Sequence, residues 1–362
     1  MSAPHPAGTA MESLGLALLA LGGGLLLFGG FVWAGGHDPL QAWQLLFRGA
    51  CGDAFSLQNT LQRAAPLMLT ALCVALPARA GLTVIGGEGA LVLGGLAAAA
   101  LPLAVPVPLN AVGTGLVLLA ASLAGAAWIA LAGWLRQWRG VNETISSLLL
   151  GYIAIALFKH IVEGPLRDPA SLNKPSTAPL PDALHMGSLM GSDVHWGLAF
   201  GVVACLVAAV WLGASTHGFA TRVVGGNLRA AQLVGLPAAR LIIVACALGG
   251  AAAGLAGGIE VAAVHTSANA SLIVGLGYTG ILVSFVARHN PLAIIPVAIL
   301  FGGFLAAGSL LQRRMGLPDA SVQVLMGFCF IIILASEAAR GRLSGLFALR
   351  RPPLGGASPA AA

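Results

Sequence analysis

Ten apolar runs, separated by short polar segments, organise this chain: about 14–34, 62–79, 83–101, 111–134, 144–162, 194–213, 241–263, 271–287, 291–311 and 320–339. A hydrocarbon core about 30 Å thick takes roughly 20 residues of apolar helix to cross, so each run reads as a membrane span. The stretch 40–60 is amphipathic instead, and is expected to lie at the interface or to insert partly. The pattern predicts an all-α, polytopic integral membrane protein of about ten transmembrane helices, built as a single transmembrane domain over 1–362. Gly-rich stretches inside two of the runs predict discontinuous helices.

Two polar segments interrupt this rhythm. Residues 164–193 carry five prolines (Pro165, Pro169, Pro175, Pro179, Pro181), mixed charge and no apolar run. That predicts an irregular external loop, because such backbone finds no hydrogen-bond partner in lipid. Residues 215–240 are basic and are expected on the inside. Within them Asn227 suits a helix N-cap, Gly235 suits the position just past a helix end, and Pro237 bars continuation. A helix of about two turns over 228–234 follows, too short to hold without a partner surface.

Composition supports the membrane reading. Charged residues make up 8% of the chain, hydrophobic residues 58%, and mean hydropathy is +0.91; a soluble domain carries about 25% charge. The net charge of +6 comes from arginines spread one or two per loop, which carries topology information rather than a nucleic-acid patch. With both termini cytoplasmic, eleven of the eighteen basic residues fall inside, including Arg79, Arg136, Arg139, Arg222, Arg229, Arg240 and Arg288. No Lys or Arg precedes the first run, so Leu14–Ala34 is expected to be a retained helix rather than a signal peptide. The five cysteines sit far apart, without CxxC or Cys/His spacing, which gives no metal site and no disulfide framework. No cofactor is expected.

Candidate chemistry is sparse. Lys159 and Lys174, the two lysines, follow Phe158 and Asn173, so no P-loop exists and ATP chemistry would belong to another chain. GLGYTG (Gly275–Gly280) has dinucleotide-site spacing but no preceding strand, and reads as a broken membrane segment. GLTVIGGEGALVLGG (Gly81–Gly95) places Glu88 in an apolar run, where an ionisable group faces a bundle interior or a cavity. Two readings stay open for it: beside a polar solute, or bonded to neighbouring backbone amides. Glu260, nearer a span end, is expected to snorkel to the interface. In VNETISSLLLGYIA, Asn142 caps a helix and Thr144, Ser146 and Ser147 put hydroxyls in its first turns. They either bond back to carbonyls or line a pathway near its cytoplasmic mouth. Gly250, Gly254 and Gly258 share one face of 241–263, as close helix packing in lipid requires. The Gly-interrupted segments 81–95 and 275–290, one in each half, are what paired transporter repeats leave.

Taken together, GLTVIGGEGA, NETISSLLLGYIA, EGPLRDP, VGGNLRAAQLVGL, GGAAAGLAGGIEV and ARHNPLA resemble GLFNIGAEGQ, NEVISTLMLNYIA, NGPLKDP, VGENPKAARYAGI, SGALAGLAGAIEV and GRNNPLG. The latter set marks permease subunits of bacterial ABC importers in the simple-sugar, nucleoside and branched-chain amino acid branch, nearest the nucleoside permeases. The resemblance runs from about 55 to 340. Val84, Ala90 and Gly151 depart from it, where the family has Asn, Gln and Asn. It implies a non-enzymatic, multi-pass inner-membrane subunit that forms the pathway for a small polar solute, most of all a nucleoside. The alternatives are a sugar or branched-chain amino acid, or a proton-coupled secondary transporter. Implied partners are two ATP-binding subunits, a second related permease, an external solute-binding protein and membrane lipid. The expected pathway residues are Gly86, Gly87, Glu88, Gly89, Thr144, Ser146, Ser147 and Tyr278. The expected ATPase-coupling residues are Gly226, Asn227, Arg229, Ala230, Ala231 and Gly235.

Overall fold

A computed structural model describes residues 21–171, 173–189 and 191–348. The start of the first run, and Arg350 and Arg351, lie outside the described residues. Helices occupy the expected runs: α1 (Leu21–Ala34), α2 (Pro39–Cys51), α3 (Ala54–Arg79), α4 (Gly87–Ala104), α5 (Ala111–Arg139), α6 (Glu143–Glu163), α7 (Gly197–Ala214), α8 (Thr216–Gly226), α9 (Leu228–Leu233), α10 (Ala238–Ile259), α11 (Leu276–Val286), α12 (Pro291–Met315) and α13 (Ala320–Ala348). Seven helices among the described residues are long and apolar enough to cross a membrane, with α10 extended to His265. Three further apolar helices are shorter: Leu21–Ala34, Ala270–Val286 and Ala320–Ala335. The protein is a polytopic all-α membrane protein.

The expected interfacial stretch 40–60 divides in two. α2 covers its first part, and Asp53 then caps α3 by accepting the Ser56 N–H at 2.7 Å, so the third helix starts eight residues earlier than hydropathy placed it. Hydropathy misses that start because a capped first turn is polar by design.

The chain divides into two compact units, one from its ends (up to Ala42 and from Ala320) and one over Trp43–Asp319. In the first, α1 packs on α13: Gly24 lies against Cys329, and Phe31 meets Phe328 edge-on at 6.5 Å between ring centroids.

In the second unit α3 is the buried centre, enclosed almost continuously from Ala64 to Pro77. Small residues on its neighbours permit this. Gly201 of α7 rests on Ala65 and Met68, Gly249 of α10 on Cys73, Gly280 of α11 on Thr70, and Gly302 of α12 on Ala64. A second seam joins α10 to α5 and α4. Gly250 and Gly254 face Gly125 and Ala121 of α5, and Gly257 faces the Leu91 carbonyl of α4, so a side chain there would collide with backbone. The predicted small-residue face of α10 is this seam.

α10 ends in a single π-helical turn, Glu260–His265. Glu260 does not snorkel: it is buried, its carboxylate 3.6 Å from His265 Nε2. The π turn that begins at Glu260 brings His265 to its carboxylate, a pairing a 3.6-residue period does not show. Nor is 164–193 a free loop. It is irregular, with one short 3₁₀ turn at Asp182–Leu184, yet its backbone is docked on the stretch after α10. Thr177 N–H donates to the Ala268 carbonyl (3.0 Å), Leu180 N–H to Thr266 (2.7 Å) and Met186 N–H to Ala262 (2.8 Å). Those bonds satisfy the polar backbone that its prolines keep out of helices.

Candidate functional site: a junction of two half-helices

α4 and α11 both begin inside the protein. α4 starts after an irregular stretch, Leu82–Gly86, in which Leu82, Val84 and Gly86 are buried. α11 starts at Gly275, whose φ of +83° places it in the left-handed region that glycine tolerates. A helix start leaves N–H groups unbonded, and in an apolar interior each needs a partner.

Glu88 supplies that partner from 187 residues away in sequence. Its Oε1 accepts the Gly275 N–H at 2.9 Å and its Oε2 accepts the Gly277 N–H at 2.6 Å. A carboxylate at the positive end of α11 is favourable on electrostatic grounds as well. The side chain is 1% exposed. Gly277 has to be glycine for this approach, since any side chain there would run into the Glu88 backbone. On the far side of α11, the Thr70 hydroxyl sits 2.9 Å from the Pro66 carbonyl and 3.2 Å from the Leu276 carbonyl.

The first turn of α6 holds the irregular stretch before α4. Asn142 caps that helix, accepting from Thr144 N–H (2.9 Å) and Ile145 N–H (3.2 Å). The Thr144 hydroxyl then donates to the Thr83 carbonyl (3.0 Å), and Ser147 Oγ accepts the Ile85 N–H (3.0 Å). Ser147 also donates to the Thr144 carbonyl (3.2 Å), and Ser146 to the Glu143 carbonyl (3.3 Å). Glu143 itself lies 3.4 Å from Arg136 Nε. Gly86 rests against the Ser147 carbonyl and Gly89 against Gly151, so α6 and the start of α4 touch backbone to backbone.

The expected pathway residues therefore divide. Gly86, Gly87, Glu88, Gly89, Ser146 and Ser147 come together, but all six are buried and their polar groups are consumed within this chain. They clamp the junction and do not line an open surface. Thr144 is half-buried and bonded to Thr83. Tyr278 alone of the eight is exposed. Sequence reasoning passed over Tyr152, which is exposed on α6 one residue beyond Gly151; a tyrosine halfway along an apolar span was the available signal.

A third tie closes the other end of α11. Arg288 and His289 both adopt positive φ, 53° and 54°, before Asn290 caps α12 by accepting the Leu292 N–H at 3.1 Å. The Arg79 guanidinium donates to the His289 carbonyl at 2.9 and 3.1 Å, and Ser284 Oγ meets His289 Nδ1 at 2.9 Å. Burial first, then the nearby Arg79 charge, push the His289 imidazole down to about 4, which leaves it neutral at ordinary pH.

The short helix of the basic segment folds as the sequence predicts; α8 over Thr216–Gly226 is an addition to the expectation, and Ala231 a correction. Asn227 Oδ1 accepts the Ala230 N–H at 3.0 Å, α9 runs over Leu228–Leu233, and Gly235 has φ +81°. Gly226, Asn227, Arg229, Ala230 and Gly235 are exposed. Ala231 is not part of that face: it is fully buried in a cluster with Ala220, Val224, Ala238 and Leu241. In a two-turn helix, one side must be spent on anchoring it. The outward side instead shows apolar residues, Leu233 at 88% and Val234 at 72% exposure.

Comparison with known proteins fits this architecture. Residues 56–334 match the family described as branched-chain amino acid transport system / permease component. The glucose ABC transporter permease protein TsgB13 of Haloferax volcanii is 33% identical over 89% of this chain and 86% of its own length. The guanosine ABC transporter permease protein NupP of Bacillus subtilis is 28% identical over 90% of this chain and 92% of its own. The nucleoside ABC transporter permease protein NupB of Lactococcus lactis is 29% identical over 85% and 87%. A family match across most of the chain, on a fold of apolar helices that includes two starting inside the protein, makes this chain a member of that permease family, in the simple-sugar and nucleoside branch of ABC transporters.

Proposed function

We infer that the chain forms half of the translocation pathway of an importer for a nucleoside. A second, related permease supplies the other half, two ATP-binding subunits drive it, and an external solute-binding protein delivers the solute. In this reading the chain lies in the inner membrane with both termini cytoplasmic and 164–193 outside, and the 227–236 segment is where the ATPase docks.

The observation that carries the reading is the Glu88 clamp. Half-helix N-termini within a transporter commonly bind an anionic group of the substrate. Here the positive end of α11 already holds a carboxylate from its own chain, with both oxygens bonded. This junction therefore has no vacancy for a substrate carboxylate, which disfavours an amino acid and favours an uncharged solute. It also speaks against a proton-coupled mechanism through Glu88, because each protonation would weaken a backbone bond at the oxygen that takes the proton.

The two nucleoside-associated relatives support a nucleoside. A simple sugar is the second reading, favoured by the glucose permease relative at 33% identity. Uptake of labelled guanosine and of labelled glucose into ATP-loaded vesicles bearing the complete transporter separates them. The proposal expects guanosine uptake that survives a protonophore while ATP is maintained. Uptake that collapses with the proton gradient, or that is seen for an amino acid alone, contradicts it.

A further inference from the structure

The chain contains two tyrosines, Tyr152 and Tyr278. Both are exposed, at 57% and 38%, and neither phenol has a hydrogen-bond partner among the described residues. Tyrosine in membrane proteins collects at the water interface, where its ring meets lipid and its hydroxyl meets water. These two are placed elsewhere. Tyr152 lies near the midpoint of α6, nine residues after Glu143 and eleven before Glu163. Tyr278 lies in the first turn of α11, at the internal junction itself.

They also flank one element. Gly151, next to Tyr152, touches Gly89 on one side of the first turn of α4. Gly277, next to Tyr278, touches the Glu88 backbone on the other. A phenol aimed at hydrocarbon with no partner is costly; two of them beside the Glu88 junction call for a polar neighbour that the described residues do not provide.

We propose that Tyr152 and Tyr278 are the solute-contacting pair of the pathway, taking an uncharged ring that bears hydroxyls between two phenols. This rests on the importer reading above. The rings offer flat apolar faces to a base or a sugar ring, and the hydroxyls offer a donor and an acceptor each. No charged partner is required of the pair, because both oxygens of the Glu88 carboxylate already accept α11 backbone N–H groups. The pair is a specificity device as well: with Glu88 occupied, the surface it flanks has nothing for an anion.

The test uses the complete transporter in vesicles, with Cys51→Ser as background because Cys51 is the exposed cysteine. Tyr152→Cys and Tyr278→Cys are treated with a small polar methanethiosulfonate reagent, and both should be labelled. Labelled guanosine uptake is then compared, at saturating binding protein, for the Phe/Phe and Leu/Leu double variants. Leu/Leu should lower the uptake rate about tenfold or more, since stacking and hydroxyl contacts are both lost, and Phe/Phe by only about threefold. The thermal midpoint and basal ATP hydrolysis should not move. Labelled cysteines with no guanosine uptake by the parent would sink the nucleoside assignment and leave the tyrosine pair standing. Guanosine uptake with unlabelled cysteines and a parental rate in Leu/Leu would overturn the pair and leave the importer standing.

Discussion

The α4–α11 junction and the α9 segment are both satisfied within the chain and differ in what they leave facing outward. At the junction the conspicuous polar residues, Glu88, Ser146 and Ser147, are all bonded within the chain, and what remains outward is Tyr152 and Tyr278. At α9 the cap and its helix are complete, and what remains outward is apolar, Leu233 and Val234. In each region the proposed functional surface is marked by the group its surroundings do not suit: a phenol in the apolar middle, an aliphatic chain on a polar segment.

The largest effect should come from breaking the junction. Glu88→Ala leaves the Gly275 and Gly277 N–H groups unbonded and should cost about 2–6 kcal/mol, from about 1–3 kcal/mol for each unsatisfied donor. Thermal unfolding of the solubilised protein, with membrane yield, would read this. Glu88→Gln should fall between, because one of its two terminal atoms donates where an acceptor is needed. If Glu88→Ala melts like the parent but fails to transport, the carboxylate serves the solute rather than the fold.

The α9 face should respond in the opposite way. Leu233→Asp is expected to reduce uptake and transport-coupled ATP hydrolysis about tenfold without changing the melting midpoint, as loss of one central interface contact does. Ala231→Trp should instead destabilise the chain, because that side chain points into the Val224–Leu241 cluster. Equal behaviour of the two variants would erase the distinction between a docking face and an anchoring face.

Smaller effects would sharpen the picture. Ser147→Ala removes one hydroxyl that accepts the Ile85 N–H, and should cost on the order of 1 kcal/mol in melting experiments. The His289 contribution is pH-dependent. Its folded value of about 4 lies below the ordinary 6.5, so the unfolded chain binds the extra proton first. The stability it lends is present above about pH 6.5 and is lost as the pH falls toward 4. Melting midpoints measured across that window should fall more steeply for the parent than for His289→Gln.

Much of this was readable from sequence, for definite reasons. The helices follow from apolar runs, and two of their boundaries from Asn142 and Asn227, whose side chains cap locally and so leave a local signal. The close face of α10 was visible as Gly250, Gly254 and Gly258. The partner of Glu88 was not, because a bond to Gly275 and Gly277 crosses most of the chain and no periodicity encodes it. Ser147 looked like a pathway hydroxyl for the same reason: its amide partner, Ile85, belongs to a different segment. Glu260 does not reach the interface because it is buried with His265 beside it, a pairing made by a π turn that the sequence does not announce. Ala231 could not be assigned a side while the cluster that receives it was unknown.

The central claim is that the Glu88 carboxylate holds the start of α11 through two backbone N–H groups. Hydrogen exchange of a peptide spanning 273–280 tests it most directly, in the parent and in Glu88→Gln, with a peptide from α3 as reference. The account predicts slow exchange at Gly275 and Gly277 in the parent. In the variant these two amides should exchange at least tenfold faster while α3 stays unchanged. Equal protection of 273–280 in both proteins would contradict it.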